Sequence, residues 1–217
     1  MSTLAPQLDA ITQNLTATAP ESVVETISAA RLVAESKFAN PPETIRANSS
    51  FPPFVLPNAK NELVSSKNLL SKGPLLVTFY RGSWCPYCNI ALRALQQSLE
   101  EIHAKGVELV AISPMLPDAS LSTQEKNELN FEVLSDVGNE FAKKLGIVWT
   151  QPDEIRQVQK AFGHDMKKLN GDASNELPVP ATFLIGADGL VKNLFFEADY
   201  RKRIEPSEVL EWIEKLE

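Results

Sequence analysis

The most informative segment of this 217-residue chain is Phe79-Tyr80-Arg81-Gly82-Ser83-Trp84-Cys85-Pro86-Tyr87-Cys88. Residues 75–79 are apolar, β-branched or aromatic and follow Gly73-Pro74, which predicts a buried strand. Beyond the segment, apolar residues recur at helical spacing, and they are Leu92, Leu95, Leu99 and Ile102. A Cys-x-x-Cys pair therefore lies where a strand passes into a helix, with Pro86 in the first helical turn.

This placement predicts thiol redox chemistry. Unpaired backbone N–H groups and the positive end of the helix dipole favour the thiolate of Cys85. In such motifs the pKa of the thiol falls from about 8.5 to roughly 3.5–7.5. A thiolate attacks disulfides or peroxides, and a second sulfur one turn away resolves the product. Cys85 and Cys88 are the only cysteines of the chain, and we expect them to form the catalytic pair.

Two other uses of the cysteines are less favoured. The spacing of Cys85, Cys88 and His103 superficially resembles a zinc site. However, His103 lies further along the same predicted helix, roughly 22 Å from Cys88 at 1.5 Å per residue. A purely structural disulfide would close a very short loop, which removes little chain entropy. We therefore expect redox function, with no metal and no other cofactor.

The composition limits the class of partner. The chain is 43% hydrophobic and carries a formal net charge of −7, which argues against binding nucleic acids or anionic membranes. No apolar run approaches the length of a membrane span, and the first residues show no secretory signal pattern. Two cysteines in a single motif fit a reducing compartment. We therefore expect a cytoplasmic protein.

Residues 1–48 read as a separate helical arm. An apolar stripe lies on one face of its first helix and comprises Leu4, Leu8, Ile11 and Leu15. Pro20 begins a second helix with a stripe of its own, which runs to Phe38. Two interpretations stay open at this point. The arm either forms a homodimer or binds another partner, or it packs on its own domain.

Residues 49–217 predict an α/β domain with a central mixed sheet flanked by helices. Residues 107–113 form a second buried strand, parallel to the first through a right-handed connection. The chain is polar and loop-like over residues 163–177, and a hairpin follows over residues 181–196. Pro206 begins a last helix. A βαβ half followed by a ββα half is the order of the thioredoxin fold.

From about Ala47 to the end, the chain resembles the peroxiredoxin-like proteins of the alkyl hydroperoxide reductase and thiol-specific antioxidant (AhpC/TSA) family. Residues 79–88, 131–136 and 181–185 carry this resemblance. It implies an oxidoreductase with an antioxidant role that acts on peroxides or protein disulfides. It also implies that thioredoxin with thioredoxin reductase, or glutathione, supplies the electrons.

The chain departs from the family at its most specific motif, Pro-x-x-x-Thr-x-x-Cys. When the two are registered on Phe79-Tyr80, the family's Pro falls on Arg81, its Thr on Cys85 and its peroxidatic Cys on Cys88. The arginine that the family places before its late strand falls on Pro180. These differences point away from an optimised peroxidase.

Pro180, which precedes Ala-Thr-Phe, resembles the cis-proline of thioredoxin. Only X–Pro bonds adopt the cis form at low cost, about 0.5–1 kcal/mol. We therefore expect a cis bond between Val179 and Pro180. The backbone of Val179 would then lie exposed beside Cys85 and pair with an extended substrate segment. The alternative is a proline that simply begins a strand.

The resemblances imply two assignments of the sulfurs. With a disulfide substrate, Cys85 attacks, as the more exposed sulfur, and Cys88 resolves the mixed disulfide. With a peroxide, Cys88 attacks and Cys85 resolves its sulfenic acid. Arg81 either lowers the thiolate pKa or is a surface charge. Trp84 and Tyr87 either line a substrate groove or only pack the turn.

Three further positions have predicted roles. Thr78 occupies the register of the buried acid of thioredoxin, which leaves the proton acceptor for Cys88 unidentified. Asp136 is expected to be a turn or cap residue rather than a catalytic acid. His164, in a polar loop, is expected to be solvated.

Thioredoxin-like disulfide reduction through the Cys85–Cys88 couple is the favoured function. A thiol-dependent peroxidase, acting on hydrogen peroxide or alkyl hydroperoxides, is the closest alternative. A redox-sensing or chaperone-like binding module is the third.

Overall fold

The structure, a computed structural model, describes residues 3–216. Its helices are α1 Leu4–Thr18, α2 Glu21–Lys37, α3 Ser66–Leu70, α4 Pro86–Gln97, α5 Leu99–Ala104, α6 Pro117–Lys126, α7 Glu140–Lys144, α8 Glu154–Ala161, α9 Met166–Asn170 and α10 Pro206–Glu214. Its strands are β1 Val55–Pro57, β2 Leu63–Ser65, β3 Leu75–Phe79, β4 Glu108–Ser113, β5 Glu132–Ser135, β6 Val148–Thr150, β7 Glu176–Pro178, β8 Ala181–Ile185 and β9 Val191–Phe196. In the described part of the chain, no helix is both long and apolar enough to cross a membrane.

A five-stranded mixed sheet in the order β5-β4-β3-β8-β9 forms the centre of the domain. β3 pairs in parallel with β4 and antiparallel with β8, and β8 forms the hairpin with β9. All five residues of β3 are buried, as the continuous apolar run predicts for a central strand. The predicted α/β thioredoxin-like architecture is confirmed.

The two faces of the sheet carry separate parts of the core. Because side chains alternate along a strand, Leu76 of β3 points to one face while Val77 and Phe79 point to the other. The face of Leu76 packs against α4, α5 and α10, and it contains both cysteines. The opposite face is filled by aromatic rings, among them Phe141 and Phe183. The redox motif therefore belongs to the face covered by α4, α5 and α10.

The N-terminal arm packs on its own domain. Leu4 and Leu8 of α1 are buried in the same cluster as the cysteines. In α2, Ala30 and Ala34 are buried against Trp149 and neighbouring residues. The apolar stripes predicted for the two helices therefore face the domain. A homodimer formed through the arm stays a prediction.

Two details of the sequence prediction are wrong. The segment 163–177 is not a simple loop, because it contains the five-residue helix α9, whose Lys168 N–H donates to the Asp165 carboxylate at 3.1 Å. The helix after the cysteines is not continuous either. It is interrupted at Ser98, where φ is −98° and ψ is 4°, and it continues as α5.

Candidate active site

The strand-to-helix transition places the two cysteines at the start of α4. Cys85 is the extended residue before the helix, with φ −88° and ψ 110°, and Pro86 is the first helical residue. Cys88 follows within the first turn, where the helix dipole favours a negative charge. Both cysteines are free thiols. Their exposed fractions are 1% for Cys85 and 0% for Cys88, so the expected difference in exposure is not present.

A cation that the sequence analysis missed contacts Cys88. Arg203 lies in the segment between β9 and α10, and its Nη2 donates to the sulfur of Cys88 at 3.2 Å. Its Nη1 donates to the carbonyls of Tyr200 and Lys202, which hold the guanidinium in place. Arg203 thus places a guanidinium against Cys88, whereas Pro180 occupies the sequence position of the family's arginine.

The two sulfurs are electrostatically different. Burial by itself raises the pKa of Cys88, but a hydrogen bond from Cys85 and the charges of Arg203 and Arg81 lower that pKa well below the usual value. Burial, together with the hydrogen bond and the charge of Cys88, raises the pKa of Cys85 well above it. At neutral pH the arrangement therefore favours a thiolate on Cys88 and a protonated thiol on Cys85.

Arg81 is a buried residue of the site, not a surface charge. Its exposed fraction is 7%, and its Nη1 lies 3.8 Å from the sulfur of Cys85. The guanidinium lies between two aromatic rings, with Cζ 4.7 Å from the centroid of Trp84 and 4.0 Å from that of Tyr200. Cation–π contacts of this kind hold the charge in place without neutralising it.

The arm contacts the redox motif directly. Tyr87, which is buried, shares a hydrogen bond of 3.0 Å with Thr12 of α1, and its ring packs edge-on against Tyr200. Burial raises the pKa of Tyr87, and the bond to Thr12 opposes that rise. Thr12 of the arm and Tyr200, which follows β9, therefore both contact Tyr87 in the Cys-x-x-Cys turn.

A cavity of about 670 Å³ lies beside the motif, between the arm and α8. Of the residues expected at the site, it is lined by Arg81, Trp84, Cys85 and Tyr87. The described residues that line it do not include Cys88, Val179 or Pro180. The structure therefore brings most of the expected site residues to one cavity, with Cys85 as the sulfur facing it.

The expectation of a cis bond before Pro180 is wrong, because every peptide bond within residues 3–216 is trans. The backbone of Val179 is also not available to a substrate. Its N–H donates to the carbonyl of Ile147 at 2.8 Å, and both Val179 and Pro180 are buried. The reason is the β6–β7 pair, which continues to Val179 and uses its backbone within the fold.

The remaining candidates are also accounted for. Thr78, at the register of the buried acid of thioredoxin, shares a buried hydrogen bond of 3.0 Å with Thr182. Asp136 is a cap, as predicted, since its two carboxylate oxygens accept from the N–H groups of Phe141 and Ala142 at 2.9 and 2.8 Å. His164 is half-buried near Trp84 rather than solvated, and burial lowers its pKa. Within residues 3–216, no three His, Cys, Asp or Glu side chains converge as a metal site.

The fold and the cysteine pair define a thiol oxidoreductase with a thioredoxin-like domain. The sequence model of the AhpC/TSA family matches residues 47–194, and the chain belongs to this family. It is 30% identical over 154 residues to the putative peroxiredoxin bcp of Buchnera aphidicola, an alignment that covers 71% of this chain and 86% of that protein. Its enzymatic chemistry is therefore carried by cysteine, without a cofactor.

Two further comparisons extend this finding. The chain is 24% identical over 150 residues to the thiol-disulfide oxidoreductase ResA of Bacillus thuringiensis, over 69% of each protein. The crystal structure of the peroxidoxin BcpB from Mycobacterium tuberculosis aligns with 80% of this chain and 99% of its own, with a TM-score of 0.62 and 18% identity. This last likeness shows the fold. The family model ends at residue 194, before Arg203.

Proposed function

We propose that this protein is a thiol-dependent peroxidase in which Cys88 attacks the peroxide and Cys85 resolves the product. The observation that carries the proposal is the contact of 3.2 Å between Arg203 Nη2 and the sulfur of Cys88. A guanidinium at this distance stabilises a thiolate, which is the attacking species. The relatives named as peroxiredoxins support the same chemistry. The register of the family motif on Phe79-Tyr80 favours Cys88 as the attacking sulfur.

The reaction has two steps on the protein. The Cys88 thiolate attacks the terminal oxygen of a hydroperoxide, the O–O bond breaks, and the leaving oxygen takes up a proton as water or an alcohol. Cys88 is then a sulfenic acid. The Cys85 thiol attacks this sulfur, which forms the Cys85–Cys88 disulfide and releases water. The raised pKa of Cys85 suits this order, because Cys85 keeps its proton until the second step.

Access to Cys88 requires movement. Neither cysteine has an exposed fraction above 1%, so a peroxide reaches Cys88 only after the covering residues shift. Arg203, which contacts the sulfur of Cys88, lies in one of the segments that must move. Because Arg203 is itself half-buried and held by backbone carbonyls, this segment is part of the barrier to entry.

Disulfide reduction is the second candidate. The similarity to the thiol-disulfide oxidoreductase ResA favours it. Two observations weigh against it, namely the trans bond at Pro180 and the pairing of the Val179 N–H with Ile147. Both remove the expected place for an extended substrate segment. A cytoplasmic location remains part of the proposal, because the pair must be returned to its thiol form in each cycle.

The decisive experiment compares wild type, Cys85→Ser and Cys88→Ser in a single turnover with hydrogen peroxide. We expect Cys88→Ser to lose at least about a hundredfold in rate, and Cys85→Ser to react once and accumulate a sulfenic acid that dimedone traps. Insulin reduction with dithiothreitol as donor is measured in parallel. Slow peroxide turnover in the wild type, together with insulin reduction that disappears in Cys85→Ser, would overturn the proposal in favour of the disulfide reductase.

A further inference from the structure

A second cavity lies in a part of the domain that the proposed function does not use. Its volume is about 450 Å³, within the range of small-molecule sites, roughly 300–1,000 Å³. It is lined by α8 and by the long connection over residues 163–177, and the described residues that line it include neither cysteine. Binding sites are found disproportionately on connections of this kind, which a rigid scaffold holds in place.

Buried amide side chains form part of the wall of the second cavity. Their exposed fractions lie between 4% and 8%, and they are Gln151, Gln159, Asn170 and Asn175. Nε2 of Gln159 donates to Oε1 of Gln151 at 2.8 Å. Nδ2 of Asn175 donates to the backbone carbonyl of Gln151 at 2.9 Å. These bonds connect three of the four amides, so this part of the wall is formed before any molecule enters.

Two acceptors in this wall have no partner. Oε1 of Gln159 and Oδ1 of Asn170 make no hydrogen bond within residues 3–216. A buried acceptor without a donor costs free energy, which a bound molecule recovers when it donates to that oxygen. The cavity is also much larger than the roughly 30 Å³ that one water molecule occupies. The wall therefore favours an occupant with hydrogen-bond donors over an apolar one.

The charges around the second cavity balance each other. Three cations and three carboxylates line it, and they are Arg156, Lys160, Lys167, Asp165, Asp172 and Glu176. Each carboxylate already accepts a hydrogen bond or pairs with a lysine. His164 adds no charge at neutral pH, because burial lowers its pKa. A charged molecule therefore has less to gain here than in the cavity beside the motif, whose described lining residues include no Asp or Glu.

We propose that the second cavity is a binding site for an uncharged small molecule that presents N–H or O–H donors to Gln159 and Asn170. The amine of a heterocycle and the hydroxyl groups of a sugar are two sources of this chemistry, and a nucleoside carries both. The site adjoins the redox site without containing its sulfurs, since Gln151, Gln159 and His164 line both cavities. The inference does not depend on the proposed peroxidase function.

The first test measures the binding of adenosine to the reduced protein by ligand-observed NMR titration. N6,N6-dimethyladenosine lacks the amine donors, and 2′,3′,5′-tri-O-methyladenosine lacks the hydroxyl donors. We expect adenosine to bind and at least one analogue to bind about fivefold more weakly, which identifies the source of the donors. Adenosine monophosphate should bind no more tightly than adenosine. Equal binding of adenosine and both analogues, tighter binding of the monophosphate, or no binding of adenosine would each overturn the inference.

The second test locates the bound adenosine. Asn170→Leu removes one of the two free acceptors, and Asn170 does not line the cavity beside the motif. We expect adenosine to bind about fivefold more weakly to this variant, and urea unfolding shows that the variant is folded. The matched control is Asn68→Leu, at an exposed position of α3 outside both cavities, which should bind as the wild type does. Equal affinities in the two variants would overturn the inference.

A second variant keeps the test decisive if Asn170→Leu does not fold. Ala173 is exposed and lines the second cavity, so Ala173→Phe should fill part of it and weaken adenosine binding at least fivefold. Ala161→Phe is its control, because Ala161 is exposed in α8 and lines neither cavity. Unchanged binding in Ala173→Phe would overturn the inference. If the wild type binds adenosine with this pattern but does not react with peroxide, the proposed function fails and the binding site stands.

Discussion

The residues that match the AhpC/TSA family and the residues on either side of them contribute differently to the site. The matched region, 47–194, supplies both sulfurs and Arg81. The flanking segments supply Thr12, which binds Tyr87, and Arg203, which binds Cys88. Both sulfurs therefore come from the matched region, whereas Arg203, one of the charges that lower the pKa of Cys88, comes from outside it. A family assignment alone does not describe this site.

The two flanking segments are also fastened to each other. The carboxylate of Glu205 accepts from the N–H groups of Leu4 and Ala5 at 2.8 and 2.9 Å, at the first turn of α1. A carboxylate at a helix N-terminus satisfies free donors and interacts favourably with the dipole. Glu205 follows Arg203 by two residues. Docking of the arm therefore holds the segment that carries the cation of Cys88.

The largest expected effect is a loss of protein stability caused by a substitution inside the matched region, residues 47–194. Asp136→Ala leaves the buried N–H groups of Phe141 and Ala142 without a partner. Each unsatisfied donor costs about 1–3 kcal/mol, so the free energy of unfolding should fall by about 3 kcal/mol. Urea unfolding measures this change. Asp9→Ala, at an exposed position of α1, should stay within about 0.5 kcal/mol of wild type. A small effect of Asp136→Ala would contradict the assigned cap.

The next largest effect tests whether Arg203, which lies outside the matched region 47–194, sets the pKa of Cys88, which lies inside it. Arg203→Gln removes one of the charges that lower the pKa of Cys88, so this pKa should rise. Less thiolate is then present at neutral pH, and the reaction with hydrogen peroxide should slow about 30-fold, or about 2 kcal/mol. The deficit should shrink as the pH rises, because the thiolate forms again. Stopped-flow rates from pH 5 to pH 9 measure both quantities.

The control for this experiment is Lys202→Gln. Lys202 precedes Arg203 and carries the same charge, but its amine pairs with Glu197 near the surface and not with a sulfur. Its rate profile should match that of the wild type. A slowing of Arg203→Gln that is equal at every pH would show that Arg203 acts on something other than the pKa of Cys88.

Local sequence patterns predicted the helices and strands of this protein well, in the flanking segments as in the matched region, but not the long-range contacts of the flanking segments. The strand β3, its parallel partner and the hairpin follow from apolar runs and turn residues within short windows. The contact of Arg203 with Cys88 joins residues 115 positions apart, and nothing in the run Arg201-Lys202-Arg203 distinguishes one cation from its neighbours. Only the three-dimensional structure shows that Arg203 is the residue that contacts Cys88.

The wrong predictions have physical causes of the same kind. A proline before Ala-Thr-Phe does not determine its own peptide bond, since the pairing of β6 with β7 also acts on Val179. The helix α9 has only five residues, too few for a periodic pattern to be visible. The arm was predicted as two amphipathic helices, but the sequence left open what they cover. The structure answers this through Leu4 and Leu8, which are buried beside the cysteines.

The third effect tests the contact between the start of α1 and Glu205, which joins the two segments outside residues 47–194. Glu205→Gln weakens the capping of α1 at Leu4 and Ala5, which should cost about 1 kcal/mol. The loss should be local, with faster hydrogen exchange in the amides of α1 and little change in β3. Glu214→Gln serves as the control, since Glu214 is exposed near the end of α10 and its side chain forms no hydrogen bond or ion pair within residues 3–216. Equal exchange in the two variants would mean that Glu205 does not hold the arm.

The smallest effect concerns the single hydrogen bond between the arm and the redox turn. Thr12→Val removes the partner of the Tyr87 hydroxyl, which should lower the free energy of unfolding by about 0.5 kcal/mol. The same bond opposes the rise in the pKa of Tyr87 that burial causes, so this pKa should move further up, as ultraviolet titration of the phenol would show. Thr16→Val is the matched control, because Thr16 is exposed one turn along and bonds only within α1. A pKa of Tyr87 that is unchanged in Thr12→Val would mean that the arm rests on the redox turn without setting its electrostatics.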